Sequence, residues 1–163
     1  MGILQHVPAV KAEMLIRRPV EEVYEAFVDP AVTTKFWFTR SSGRLEAGKR
    51  FRWDWEMYGV FDELLVKMLE PNRRILIESL DGTETEWLFE PRGVNETFVT
   101  ITNSGFKGTA DEIVGRAIDS MGGYTMVLCG LKALLEHQVI LNLVQDKAPD
   151  ALVEGWTTRA VSE

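Results

Sequence analysis

The stretch KRFRWDWEMYGVF, Lys49 to Phe61, places two tryptophans, two phenylalanines, a methionine and a tyrosine within thirteen residues. Phe51, Trp53, Trp55 and Met57 take every second position, and Arg50, Arg52, Asp54 and Glu56 take those between. A strand sends successive side chains to opposite faces, so the stretch reads as a half-buried β-strand with one aromatic and one charged face. A helix would smear both sets around its circumference. What lies opposite the aromatic face decides what the chain can do.

Period two continues outward from this strand, across Ser41 to Ser104. Turn signals recur at Ala47-Gly48, Tyr58-Gly59, Pro71-Asn72, Asp81-Gly82 and Arg92 to Asn95. The spacing predicts about six antiparallel strands in a meander. Thr85, Trp87 and Phe89 share one face of the fifth, and Glu84, Glu86 and Glu90 share the other. Val99 and Ile101 oppose Thr100 and Thr102 in the last. Upstream, Val10, Ala12, Met14 and Ile16 alternate with Lys11, Glu13, Leu15 and Arg17, which adds a first strand. In RPVEEVYEAFVDP, Pro19 suits a first helical turn, and Glu21 and Glu22 suit the positive end of the helix dipole. Val20, Val23, Tyr24 and Phe27 form one apolar helix face at i, i+3, i+4 and i+7. Asp29-Pro30 ends this helix, and a second short one is expected over Ala31 to Phe36.

Beyond Gly105 the period changes. TADE, Thr109 to Glu112, has the form of a capping box and predicts a short helix through Ile118. Ser120 then caps a longer helix, whose stripe is Met121, Tyr124, Val127, Leu128, Leu131, Leu134 and Leu135. Gly122 and Gly123 fall in its first turn, where they weaken helix propensity but let another backbone approach closely. The tail begins apolar and ends polar, and its last half-dozen residues are expected to be disordered. Its start, VILNLV, suits docking on its own domain or on a second copy, so a homodimer stays open. The order is strand, two short helices, about six strands, then a long helix, which makes an α+β layer. One domain spans 1–163, with its core at about 10–140 and a tail at 141–163.

Composition bounds the function. Of 163 residues, 45% are hydrophobic and 26% charged, ordinary for a globular chain able to bury a core. A net charge of −7 argues against a general nucleic-acid binder, which needs a basic face to neutralise phosphates. The single cysteine, Cys129, can form no internal disulfide and reads as a buried small hydrophobe. No span reaches membrane-crossing length and the N-terminus has no signal-peptide pattern, so a cytoplasmic protein with no membrane partner is expected.

Three stretches carry a resemblance: VEEVYEAFVDPAVTTKFWF, FEPRGVNETFVTITNSGF and GGYTMVLCGLKALLEH. In this order they resemble the SRPBCC, or START-like, superfamily, and within it the branch named after the activator of the heat-shock protein 90 ATPase. The opening pattern is Pro19, Asp29-Pro30 and the aromatic cluster Phe36-Trp37-Phe38. The middle pattern is Glu90 to Gly93, Thr97, and Ser104 to Phe106. The last helix has Gly123-Tyr124 where the family usually opens with Gly-Trp. The resemblance implies the α+β helix-grip (START-like) fold, a curved antiparallel sheet of about seven strands wrapped round the C-terminal helix, which commonly encloses a hydrophobic cavity. Phe51, Trp53 and Trp55 would then face inward, towards Tyr124, Leu128 and Leu131. Trp37, Phe38, Trp87 and Phe89 complete the expected ligand-binding set. Large side chains at period two also fill solid cores, and it is the resemblance that favours a cavity. Phe36 to Phe38 stand either at its entrance or as a plug at one end of the core.

Candidate chemistry is sparse. His6 and His137 are far apart, and no His/Cys/Asp/Glu spacing suits a metal, so neither metal nor cofactor is expected. His137 suits the negative end of the helix dipole. There is no nucleophile elbow and no phosphate loop. Asp62 and Glu63 precede LLVKML, and in a regular strand one of them points inward, where burial would raise its pKa. A bulge or strand end would keep both in solvent, and that is the expectation. Asn103 is a further inward polar candidate, and Arg40 a candidate to close the cavity mouth. The leading reading is binding of a small hydrophobic or aromatic molecule without turnover. The alternatives are a cochaperone-like module that binds a chaperone or other protein, and a cyclase- or hydrolase-type enzyme using a cavity carboxylate.

Overall fold

A computed structural model describes residues 3–156. The chain runs β1 (Val10–Ile16), α1 (Val20–Val28), α2 (Pro30–Thr33), β2 (Arg40–Ser41), β3 (Arg50–Trp55), β4 (Val60–Glu70), β5 (Arg74–Ser79), β6 (Glu84–Pro91), β7 (Thr97–Ser104), α3 (Ala110–His137) and α4 (Leu143–Asp146). The seven strands make one antiparallel sheet in the order β1-β7-β6-β5-β4-β3-β2. The sheet curves round α3, so the α+β helix-grip architecture expected from the strand pattern and the resemblance is present. The expected disorder of the tail falls on residues outside those described. Among the described residues, no helix is long and apolar enough to cross a membrane.

The strand phases follow the alternation. Phe51 and Trp53 are buried on the inner face of β3, and Thr85, Trp87 and Phe89 on that of β6. The acidic outer face is neutralised across strands, with Arg74 Nε donating to Glu86 Oε2 at 2.7 Å. Asp54 belongs to the charged face, yet it is only 8% exposed. Arg52 and Arg40 cover it, at 2.9 and 3.6 Å. Arg40 therefore lies on the outer face and does not close a cavity mouth. A β-bulge breaks the β4–β5 register between Val66 and Met68. The extra residue, Lys67, shifts the phase, so that Leu64 and Val66 point inward before it and Leu69, opposite Ile75, after it.

Two expectations about the last helix are corrected. The short helix through Ile118 and the longer one after Ser120 are a single helix, Ala110–His137, opened by the Thr109–Glu112 capping box. Ser120 does not cap; its hydroxyl donates to Asn103 Oδ1 at 2.7 Å, which removes the competitor for the helix backbone at that point. Nor do Gly122 and Gly123 admit a close approach, since a Cβ at either would meet nothing within 4 Å. The close approach is at Gly130, where a Cβ would lie 3.3 Å from Phe36 Cβ. Leu128 and Leu131, both 0% exposed, seat the helix on the sheet. Its C-terminal half is tied to β1, with Lys132 Nζ donating to the Leu15 carbonyl at 2.8 Å and the Arg17 N–H donating to Glu136 Oε2 at 3.0 Å. Cys129 is half-buried rather than buried.

Helix α1 follows its predicted face, with Val23, Tyr24 and Phe27 buried. Helix α2 is shorter than expected and ends at Thr33, and Asp29 caps it by accepting the Ala31 N–H at 2.9 Å. The tail docks on its own domain. The Tyr58 hydroxyl donates to the carbonyls of Val144 and Gln145, and the Val153 N–H donates to the Met57 carbonyl at 2.9 Å. The segment around α4 is thus strapped over the β3–β4 end of the sheet.

Candidate functional site

Between the inner face of β3 to β5 and the middle of α3 lies a cavity of about 290 Å³. It is open to solvent on one side. The sheet contributes Trp53, Trp55, Asp62, Ile77 and Ser79. The helix contributes Ser120, Gly123, Tyr124, Met126 and Val127. Four of these, Ser120, Gly123, Tyr124 and Val127, recur at i, i+3, i+4 and i+7, one helix face turned to one space. Trp37, from the loop after α2, and Val144, from the tail, also line it.

Of the ten residues expected to bind a ligand, Trp37, Trp53, Trp55 and Tyr124 border this cavity. Phe38, Phe51, Trp87, Phe89, Leu128 and Leu131 lie behind them in the packed core. Phe38 stacks on Trp53 with centroids 4.7 Å apart and an interplanar angle of 15°. Trp37 is the hub. Its ring meets those of Trp53, Trp55, Trp87 and Tyr124 edge-on or tilted at 4.9 to 6.1 Å, the nearest being Trp53. The cluster Phe36 to Phe38 therefore does both things weighed for it: Phe36 and Phe38 plug the core, while Trp37 borders the cavity. Trp37 and Val144 also border a second hollow of about 300 Å³ on the other side, beneath the strap.

The polar groups fall into two sets. Ser120, Asn103, Thr85 and Tyr124 bind one another. Asn103 Nδ2 donates to the Glu84 carbonyl at 2.9 Å and to Thr85 Oγ1 at 3.0 Å, and Thr85 Oγ1 shares a hydrogen bond with the Tyr124 hydroxyl at 3.1 Å. Asn103 points inward as expected, but it is committed to this network. Burial pushes the Tyr124 hydroxyl up to about 12, against the Thr85 hydrogen bond, so it stays protonated. The second set is Asp62 with Ser79, whose hydroxyl donates to Asp62 Oδ2 at 2.9 Å. Burial raises the Asp62 pKa above the usual aspartate value, and the Ser79 hydrogen bond opposes the rise.

Asp62 corrects the expectation that both acids of β4 stay in solvent. It pairs with Trp53 across the β3–β4 ladder and so shares its inner face, while Glu63 is exposed. The signal was available: the Tyr58-Gly59 turn fixes the hairpin register, and the register fixes the face. Ser79 and Ser120 were not singled out as site residues, because a lone serine in a strand or helix carries no mark. Trp53 and Trp87 bury indole N–H groups that have no hydrogen-bond partner among the described residues. Among the described residues, no group of His, Cys, Asp and Glu could hold a metal ion.

The family described as Activator of Hsp90 ATPase homolog 1-like protein matches residues 17–136. The chain is similar to a solved protein from Staphylococcus saprophyticus at 30% identity, with a TM-score of 0.73, over 82% of this chain and 96% of that one. It shares its fold with the Aha1 dimer from Colwellia psychrerythraea, at 23% identity and a TM-score of 0.67 over 80% and 97% of the two chains. It also shares its fold with DynU16, a protein in the dynemicin biosynthetic locus, at 23% identity and a TM-score of 0.69. That match covers 81% of this chain and 48% of the other. No curated protein matches the chain.

Proposed function

The chain belongs to the Activator of Hsp90 ATPase homolog 1-like family, and from that premise we propose that it binds a small hydrophobic or aromatic molecule between its sheet and C-terminal helix, without turning it over. One observation carries the reading: a cavity of about 290 Å³ walled by Trp37, Trp53, Trp55 and Tyr124, with Asp62 and Ser79 among its few polar groups. Small-molecule sites are concave, mostly apolar and furnished with a few placed polar groups, and this cavity stands at the lower end of their usual size of about 300–1,000 Å³. Rigid aromatic walls supply contact area with little rotamer entropy to lose. The proposed setting is the cytoplasm, which suits a chain whose single cysteine forms no internal disulfide.

The test is native mass spectrometry of protein purified from its own host, followed by titration of tryptophan fluorescence with apolar probes. A stoichiometric companion, with quenching that is altered in Trp55→Leu, supports the site. The absence of any companion and of any quenching refutes it.

A second reading is a protein-interaction module, as the family description suggests. Val114, Ile118 and Met121 favour it, being 40, 67 and 46% exposed along one face of α3. Pull-downs with Ile118→Glu separate this reading from the first, since the substitution lies outside the cavity. Turnover would need an acid or base in the cavity. Asp62 is the group that could serve, and Asp62→Asn with unchanged product formation would remove it.

A further inference from the structure

The chemistry of the cavity narrows the kind of molecule it takes. We propose that the ligand is an organic cation, an ammonium group on an apolar or aromatic frame, with its charge at Asp62 and its frame among Trp37, Trp53, Trp55 and Tyr124. The proposal rests on the reading of this cavity as a ligand site and adds its charge class.

Asp62 is the one charged side chain among the residues that line the cavity. Several other carboxylates that are buried or half-buried have cations: Asp54 has Arg52 and Arg40, Glu86 has Arg74, Glu25 has Arg44, and Glu136 has Lys132. Asp62 stands in no ion pair among the described residues. Its hydrogen bonds come from neutral donors, the Ser79 hydroxyl first. The neighbouring charge that acts on it is Asp81, of the same sign. A half-buried carboxylate without a counter-charge is costly, and a bound cation would relieve that cost.

The walls point the same way. Aromatic faces carry negative potential and attract cations at short range, most strongly for tryptophan. Three tryptophans and a tyrosine surround the space that Asp62 faces, and Trp53 is its direct cross-strand neighbour. An anionic ligand would meet the carboxylate unfavourably. A neutral one would leave the carboxylate uncompensated. An ammonium group satisfies the carboxylate and the ring faces with one charge, and Ser79 holds the carboxylate in place to receive it.

The experiment compares three probes of one shape by isothermal titration calorimetry at neutral pH: 2-naphthylmethylamine, 2-naphthalenemethanol and 2-naphthoate. The expected result is that the amine binds about tenfold or more tighter than the alcohol, with the carboxylate weakest. Asp62→Asn, which keeps an acceptor for Ser79, is expected to weaken the amine about tenfold and the alcohol by about twofold at most. Equal or weaker binding of the amine overturns the cation while leaving the ligand site standing. So does amine binding that Asp62→Asn does not change. Binding of none of the three, with no companion seen by native mass spectrometry, overturns the ligand site as well. The comparison within the unmodified protein decides the charge class even if the variant does not fold.

Discussion

Asp62 lies directly opposite Trp53 on the β3–β4 ladder, so a carboxyl and an indole share the sheet's inner face. Burial on that face raises the pKa of the acid, and the hydrogen bond from the Ser79 hydroxyl opposes the rise. The folded protein then holds the Asp62 proton more tightly than the unfolded chain does, and the ionised form opposes folding. This opposition is absent below the unfolded aspartate range and complete above the raised folded value. Asp62→Asn is therefore expected to raise Tm at neutral pH. The gain should shrink as pH falls through the raised titration and vanish below the ordinary aspartate range of about 3.9. Thermal melts of both proteins across that window test it. A gain that does not change with pH would mean that Asp62 is as well solvated as an ordinary surface acid. A residue that weakens the fold while furnishing a site is the usual signature of function set against stability.

The helix glycines divide by what a methyl group would meet. Gly122→Ala places its Cβ in open space and restores helix propensity, for an expected gain of about 0.5–1 kcal/mol. Gly130→Ala drives its Cβ to within 3.3 Å of Phe36 and is expected to destabilise by about 1–3 kcal/mol. Urea denaturation of the two variants should give opposite signs.

At Gly123 the open space is the cavity itself. Gly123→Leu is expected to occupy it, abolishing probe binding while leaving the fold at least as stable, because the helix gains a good former. Calorimetry paired with a thermal melt checks both halves. Retained binding would place the ligand elsewhere.

Trp37 is the partition between the cavity and the hollow beneath the strap. Trp37→Ala removes a ring in contact with several others and is expected to destabilise by about 2–4 kcal/mol, less than a fully buried tryptophan because this one is only partly buried. It also merges the two spaces. Longer probes, such as a naphthylalkyl amine with an extended chain, should then bind relatively better than short ones. An unchanged length preference would show that another side chain keeps the spaces apart.

Much of this was legible in the chain, and the exceptions have physical causes. The alternation from Phe51 to Trp55 and the acids of β6 mark faces, because period two is a property of the strand itself. The stripe from Tyr124 to Leu135 marks α3 for the same kind of reason. The break expected near Ser120 came from that serine as a cap and the two glycines after it, which look like a helix start locally. Tertiary packing of Leu128 and Leu131, and the Ser120–Asn103 hydrogen bond, override that local preference. The bulge at Lys67 has no residue signature, and only the pairing with β5 reveals it. Four of the ten expected site residues border the cavity, because strand phase tells inner from outer but not wall from core.

The strand order carries a consequence for how the molecule comes together in time. Every pair of neighbours in the sheet joins strands consecutive in the chain except one, β1 with β7. The meander from β2 to β7 can zip hairpin by hairpin, each step closing a short loop. Strand β1 must instead be captured across nearly the whole length of the domain, after its partner exists. Closing so long a loop is the entropic bottleneck that slows chains rich in distant contacts. Helix α3 arrives later still in sequence and packs on β1, through Lys132 and Glu136 at its far end. The first strand of the sheet in chain order is thus among the last to be secured, and until then the edge of β7 stands open to any other strand that reaches it.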